Sequence, residues 1–298
     1  MRADELTIRL CRPDEQDECL AVERQAWAPF NWEAQGAVGV DYFPALHVVA
    51  VAPDDRIVAT IDGCPMAWDG DPDSLPEGGW TDVVLAAQQL TEWQPYACAL
   101  GASILPEAQG GGLARRLLEG LRDAACAAGF FGMLAPVRPT AWTRMPHLTI
   151  GQYAQIRLPD GRHFDPWART HERVGGTIIG SCHASAVFAG GHADWERWTG
   201  TRLPWDGSVI APRTAGWLEL RDGHGVLTES SLWLWHDLLR GQTAAGAGTG
   251  DDPAVTAVHP DRHAEPEPDV RDVNDMISRD MRLMQPVGAA DEPYASAS

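Results

Sequence analysis

Three consecutive glycines, Gly110, Gly111 and Gly112, separate two stretches of different rhythm. Residues 96–105 are an apolar run, which predicts a strand. Residues 113–128 place Leu113, Leu117, Leu121 and Ala124 on one stripe, with Arg115, Arg116, Glu119 and Arg122 outside it. That spacing predicts an amphipathic helix, and Gly129 fits its C-terminal cap. A strand that enters a helix through glycines exposes backbone N–H groups at the positive end of the helix dipole. With no Cβ in the way, a ligand can approach the backbone closely. Such a turn suits a phosphate or pyrophosphate. It lacks the Gly-Lys-Ser/Thr of a P-loop. It also lies a third of the way along a chain with no repeating βαβ series around it, which argues against a dinucleotide fold.

The flanking sequence supplies a succession of elements. Leu6, Ile8 and Leu10 alternate with Thr7 and Arg9, as in a half-buried strand. Pro13, Asp14 and Glu15 open a helix that runs to about Trp27, with carboxylates in its first turn. Residues 46–52 and 56–64 flank Pro53-Asp54-Asp55 and read as a hairpin. Residues 69–79 read as a loop, 81–90 as a helix and 130–137 as a strand. In the second half, 149–156, 166–174 and 193–198 read as helices. Residues 177–188 read as a strand, and 217–220 with 226–235 as a hairpin.

The Gln109-Gly110-Gly111-Gly112-Leu113-Ala114 turn, and the element order across residues 6–137, resemble the GNAT superfamily of N-acetyltransferases. The turn matches that family's Gln-x-x-Gly-x-Ala loop for the acyl-CoA pyrophosphate. The resemblance implies an α/β fold: a central mixed and splayed β-sheet flanked by helices. It implies that the pantetheine arm of acyl-CoA runs along Leu100, Ala102, Ile104 and Leu105. The pyrophosphate then rests on Gln109, Gly110, Gly111, Gly112, Leu113 and Ala114, with Arg115 supplying positive potential.

A second segment, Asp165-Pro166 through Gly175-Gly176, resembles the family's Asn-Pro-x-x-x-x-Tyr-Glu-x-Leu-Gly-Phe. Asp165 stands where asparagine is usual. His171 stands where the family's tyrosine protonates the departing CoA thiolate. An imidazole with an ordinary pKa near ~6.5 can do that work or serve as a base. The replacement is similar to the GNAT-like loading domains of polyketide synthases, where a histidine and a threonine act together on malonyl-CoA. The threonine maps onto Thr140. That branch also carries an arginine after the histidine helix, for which residues 177–188 offer no match. Tyr153 is the alternative acid. Candidate bases for a direct amine attack are Glu92, Asp62, Glu33 and His47. Trp142, close to Thr140, is a candidate cleft wall among 13 tryptophans.

The formal net charge of −19 sets the chain against nucleic acid and anionic membranes. No apolar run reaches transmembrane length. The acidic start does not read as a signal peptide, and cytoplasm is the expected compartment. Six scattered cysteines without a Cys-x-x-Cys read as reduced thiols, and no metal is expected. Residues 1–240 are expected to form the GNAT domain. Residues 241–298, with 11 acidic and 4 basic residues, read as an acidic, mostly disordered tail with one possible helix at 270–284. The expected function is transfer of an acyl group, most simply from acetyl-CoA, to the amine of a small molecule. The alternatives are malonyl-CoA decarboxylation with S-acylation of a carrier-protein thiol, and a non-catalytic acyl-CoA-binding module.

Overall fold

A computed structural model describes residues 5–239, and the expectation for residues 241–298 lies outside that range. Nine strands form one mixed sheet: β1 (Thr7–Leu10), β2 (His47–Val51), β3 (Ile57–Met66), β4 (Tyr96–Ile104), β5 (Gly132–Val137), β6 (Gly176–Gly191), β7 (Gly207–Val209), β8 (Leu218–Arg221) and β9 (His224–Asp237). Seven α-helices accompany them: α1 (Gln16–Ala26), α2 (Phe30–Glu33), α3 (Gly79–Ala87), α4 (Leu113–Ala127), α5 (Ile150–Ala154), α6 (Pro166–Arg173) and α7 (His192–Thr199). The elements follow the sequence reading closely. The short α2 and β7 are additions. Leu10 ends β1 exposed, so the alternation expected there does not bury it.

The strand order is β1-β2-β3-β4-β5-β9-β8-β7, with β6 on the other edge of β9. Only β4 and β5 are parallel; the other pairs are antiparallel. The helix between β4 and β5 is α4, whose Leu113, Leu117, Leu118 and Leu121 are fully buried. Each buried leucine contributes about 2 kcal/mol, which fixes the crossover against the sheet.

β9 joins the two halves of the molecule. β6 runs along one of its edges. Its opposite edge carries β5 at residues 232–237 and β8 at residues 224–227. Residues 228–231 have no strand partner on that edge, which leaves a notch in the sheet. One core packs Phe30, Phe188, Trp195 and Leu218 below β8. Another gathers Cys64, Met66, Val84 and Trp233 beneath α3. Most tryptophans of the second half fill such cores or lie at the surface: Trp195 and Trp233 are buried, while Trp205 and Trp217 are exposed.

Candidate active site

The glycine turn has the conformation its composition suggests. Gly110, Gly111 and Gly112 have φ of +91°, +57° and +80°. Successive left-handed residues are easily formed only by glycine. Gly112 is the N-cap of α4, and no side chain caps that first turn. A Cβ placed on Gly110 or Gly112 would meet nothing within 4 Å. Residues 109–112 are exposed, so the open amides and the dipole of a 15-residue helix face solvent together. The turn therefore fits a diphosphate. Leu113 is buried and its N–H closes the turn on the Gly110 carbonyl at 3.2 Å, so it anchors the helix. Arg115 pairs with Glu119 one turn along, both well exposed. Such a pair is weak and leaves the guanidinium free for an anion.

β4 and β5 pair only at Tyr96, Ala97 and Cys98, opposite Gly132, Met133 and Leu134. Beyond that they part, and β4 shows an open edge. Its register with β3 slips at the same place: Asp62 faces Gly101 and Gly63 faces Ala99, so Leu100 has no partner. This is a β-bulge, which re-aims the backbone. The Leu100 carbonyl accepts from Trp80 Nε1 at 3.0 Å. Leu105 donates its N–H to Val58 on the β3 side at 3.0 Å. By strand alternation, the N–H groups of Ile104 and Ala102 then face the open edge.

A cavity of about 740 Å³ occupies the parting. That volume suits a drug-sized ligand or the reactive end of a larger one. Leu100, Ala102, Ile104 and Ala114 border it. Leu105 does not: it is buried on the β3 side, contrary to the role expected for it. The indole rings at the cavity are Trp27, Trp32, Trp80 and Trp167. Trp142, the expected wall, is absent from its lining.

Thr140 and His171 both border this cavity, and Asp165 brings them together. Asp165 is fully buried and caps α6 by accepting from the N–H groups of Trp167 (2.8 Å) and Ala168 (3.1 Å). It also accepts from the Ala141 N–H at 2.8 Å, the Tyr153 hydroxyl at 2.9 Å and, loosely, the Thr140 hydroxyl at 3.3 Å. One carboxylate thus ties the Thr140 loop to the helix bearing His171. Tyr153 is spent in this hub, fully buried, and does not border the cavity.

His171 is 1% exposed. Its Nδ1 lies 2.9 Å from Nε2 of His236 on β9, and its Nε2 has no partner among the described residues. Burial, and then His236, hold its pKa well below the ordinary value. Burial, and then Arg122, push His236 down to about 3. Both rings are therefore neutral, so His171 offers one N–H or one lone pair, and the freely titrating imidazole expected from the sequence is not what the fold builds.

Of the candidate bases, Asp62 and His47 reach the cavity. Glu33 is bound to Arg197 (2.6 Å) and the Trp198 indole N–H (3.1 Å). Glu92 is exposed on a loop outside the lining. Burial pushes His47 down to about 4. Glu23, which the sequence reading missed, borders the cavity too, and burial pushes it up to about 7. Burial, and then the charge of Glu23, raise Asp62 well above the carboxylate range. The signal was present: Cys19, Glu23 and Trp27 recur every fourth residue on the inward face of α1. Arg138, Arg213 and Glu229 also line the cavity, at the notch in the β9 edge. Beside it, Cys11 and Cys19 place their sulfurs 3.4 Å apart, near His47. The His47 Nε2 is already bonded to the Thr60 hydroxyl at 2.6 Å.

No known family's sequence profile matches the chain. A curated relative, the arginine N-acetyltransferase avaD of Aspergillus versicolor, is 29% identical over 152 residues, which are 47% of this chain. The chain spans about half the length of that relative, 50%. Among solved structures, the loading GNATL domain of CurA from Lyngbya majuscula is similar with a TM-score of 0.51 and 18% identity, over 79% of this chain and 98% of that one. The GphF GNAT-like decarboxylase in complex with isobutyryl-CoA follows at 0.49 and 17%, over 78% and 99%.

Proposed function

We propose that this chain, whose fold is that of the GNAT N-acetyltransferases, is an acyl-CoA-dependent acyltransferase. It transfers a small acyl group, most simply acetyl, to the amine of a small molecule by direct attack. The observation that carries this reading is the parting of β4 from β5 beside an open glycine turn, with one cavity at the junction. The similarity to an arginine N-acetyltransferase supports it.

In this reading the pantetheine pairs with the Ala102 and Ile104 amides, and the diphosphate sits on the turn from Gln109 to Ala114 with Arg115 beside it. The acceptor enters from the side of α1. Its ammonium gives a proton to the Glu23 carboxylate, with the protonated Asp62 beside it, and the freed nitrogen attacks the thioester carbonyl carbon. A C–N bond forms, the C–S bond breaks, and the CoA thiolate leaves with the electron pair. The nitrogen's second proton passes to that thiolate, which the N–H of the neutral His171 ring steadies by a hydrogen bond, with Thr140 alongside. Holding two substrates in one cavity supplies much of the acceleration.

Thr140 and His171 on one cavity also favour a second reading, loss of CO₂ from malonyl-CoA and passage of the acyl group to a carrier thiol. One experiment separates the readings. The protein is incubated with acetyl-CoA, propionyl-CoA or malonyl-CoA, with and without a panel of small amines, and free CoA and products are measured by mass spectrometry. The main reading predicts an N-acyl amine and CoA, formed only when amine is present. Release of CO₂ from malonyl-CoA without amine would establish the second. CoA binding with no consumption of any acyl-CoA would mark a binding module.

A further inference from the structure

A neutral imidazole has one N–H to give, and acyl transfer as proposed needs that of His171 at the leaving sulfur. Which ring nitrogen carries the proton is set by the bond the other one makes. Here the other nitrogen, Nδ1, lies 2.9 Å from Nε2 of His236. Both rings are buried, and burial keeps both neutral. One proton therefore lies between the two nitrogens, and it has two possible owners. If His236 donates, Nε2 of His171 bears the remaining N–H. If His171 donates, its Nε2 is a bare lone pair.

What lies behind His236 separates these arrangements. Its Nδ1 is buried without a partner among the described residues, and so is Nε of Arg122 on α4. Nη2 of Arg122 is 3.5 Å from the carbonyl oxygen of Asp237, the residue after His236. After burial, the charge of Arg122 is what lowers the pKa of that ring. A guanidinium has donors and no acceptor. An N–H on Nδ1 of His236 would set donor against donor in a buried setting, whereas a lone pair there complements the cation. That favours the first arrangement. The fold also makes room for the contact. Gly176 faces His236 in the β6–β9 register, and a Cβ on it would come within 2.7 Å of Cε1 of that ring and 3.0 Å of its Nε2. The glycine that ends the segment from Asp165 thus leaves the space the second histidine fills. The His171 ring is further braced by Trp167, edge-on with centroids 4.5 Å apart.

We propose that His236 is the positioning residue of this site: it donates to Nδ1 of His171, locks that ring as the Nε2–H tautomer and so presents a fixed N–H to the cavity that His171 borders. Its role rests on the acyltransfer reading; the placing of the proton does not.

The tautomer is read without any chemistry. Long-range proton–nitrogen NMR spectra of the full chain with ¹⁵N-labelled histidine show which ring nitrogen bears a proton, and His171→Ala and His236→Phe assign the two rings. At neutral pH the unaltered protein should carry the proton on Nε2 of both. In His236→Phe nothing donates to Nδ1 of His171, and its signals should become those of mixed tautomers. A proton on Nδ1 of His171 in the unaltered protein would overturn the inference, as would the same single tautomer in His236→Phe. Steady-state rates give the second readout. His236→Phe should lower kcat about tenfold, the worth of one hydrogen bond, with KM for acetyl-CoA unmoved. His236→Gln, whose amide can donate to the same nitrogen, should recover kcat to within about threefold and restore the single tautomer. Equal losses in the two variants with the tautomer intact in both would reduce His236 to packing and overturn its role. If the unaltered protein consumes no acyl-CoA, the acyltransfer reading fails, and the spectra alone then uphold or overturn the pairing by the same two results.

Discussion

Burial governs the protonation of individual groups around the cleft, and the signs differ between residue types. His47 and His236 have folded pKa values near 4 and 3, below the ordinary histidine value near 6.5. Their neutrality therefore favours the fold above about pH 6.5, and that contribution is lost as pH falls toward those values. Glu23 goes the other way. Its folded value near 7 exceeds the ordinary 4.5, so ionising it opposes the fold as pH rises between the two. Glu23→Gln should gain stability over the unaltered protein on going from pH 5 to pH 8, by about 1–2 kcal/mol after solvent screening, read from urea midpoints at each pH. The rate of acyl transfer should rise with pH through about 7 in the unaltered protein and lose that inflection in the variant. His171→Ala should lower kcat by about a hundredfold while KM for acetyl-CoA stays within a factor of about three, because the ring is assigned to the leaving thiolate.

Two elements depend on single devices. The start of α4 relies on left-handed glycines, so Gly112→Ala both strains the turn, by about 1 kcal/mol, and puts a methyl group where the diphosphate would lie. Its Kd for CoA, measured by calorimetry, should rise at least tenfold, with only a few degrees lost in Tm. The start of α6 relies on Asp165. Asparagine there turns an NH₂ group toward the donors Ala141, Tyr153 and Thr140, so Asp165→Asn should cost about 2–3 kcal/mol in chemical denaturation. Tyr153→Phe, which removes one of the bonds, should cost about 1 kcal/mol. These elements were legible in the sequence because their signals are local: glycines before an apolar stripe, and Asp-Pro before a helix. So was the placing of Thr140 and His171 near one another. What was not legible depends on contacts between distant segments. Arg213 meets α1 across 187 residues, and His236 meets His171 across 65. No periodicity records such a meeting. Trp142 failed as a wall for the same reason: nearness to Thr140 in sequence does not decide which side of a turn faces the cleft.

The whole chain carries a formal charge of −19, and its two proposed substrates differ in sign. A cationic acceptor is drawn by that field and a CoA polyanion is repelled. Raising salt from about 0.02 to 0.3 M shortens the Debye length from about 20 to 6 Å. It should therefore lower kcat/KM for a cationic amine while lowering, or leaving flat, KM for acetyl-CoA. Opposite slopes in one titration would place the two ligands in different electrostatic surroundings; parallel slopes would contradict the assignment. Among the described residues no helix is long and apolar enough to cross a membrane. The notch in the β9 edge has a consequence of its own. The segment between β7 and β8 that carries Arg213 is tied to the notch by the Ala215 N–H on the Glu229 carboxylate, and further by arginine bonds to the Ala26 and Arg213 carbonyls, while the glycine turn belongs to the far end of the β4–β5 parting. That strap lines the cavity yet shares no residue with the turn proposed for the diphosphate. Replacing that one strap would therefore recast a wall of the cavity while leaving the helix start and its glycines intact, a natural place for grafting.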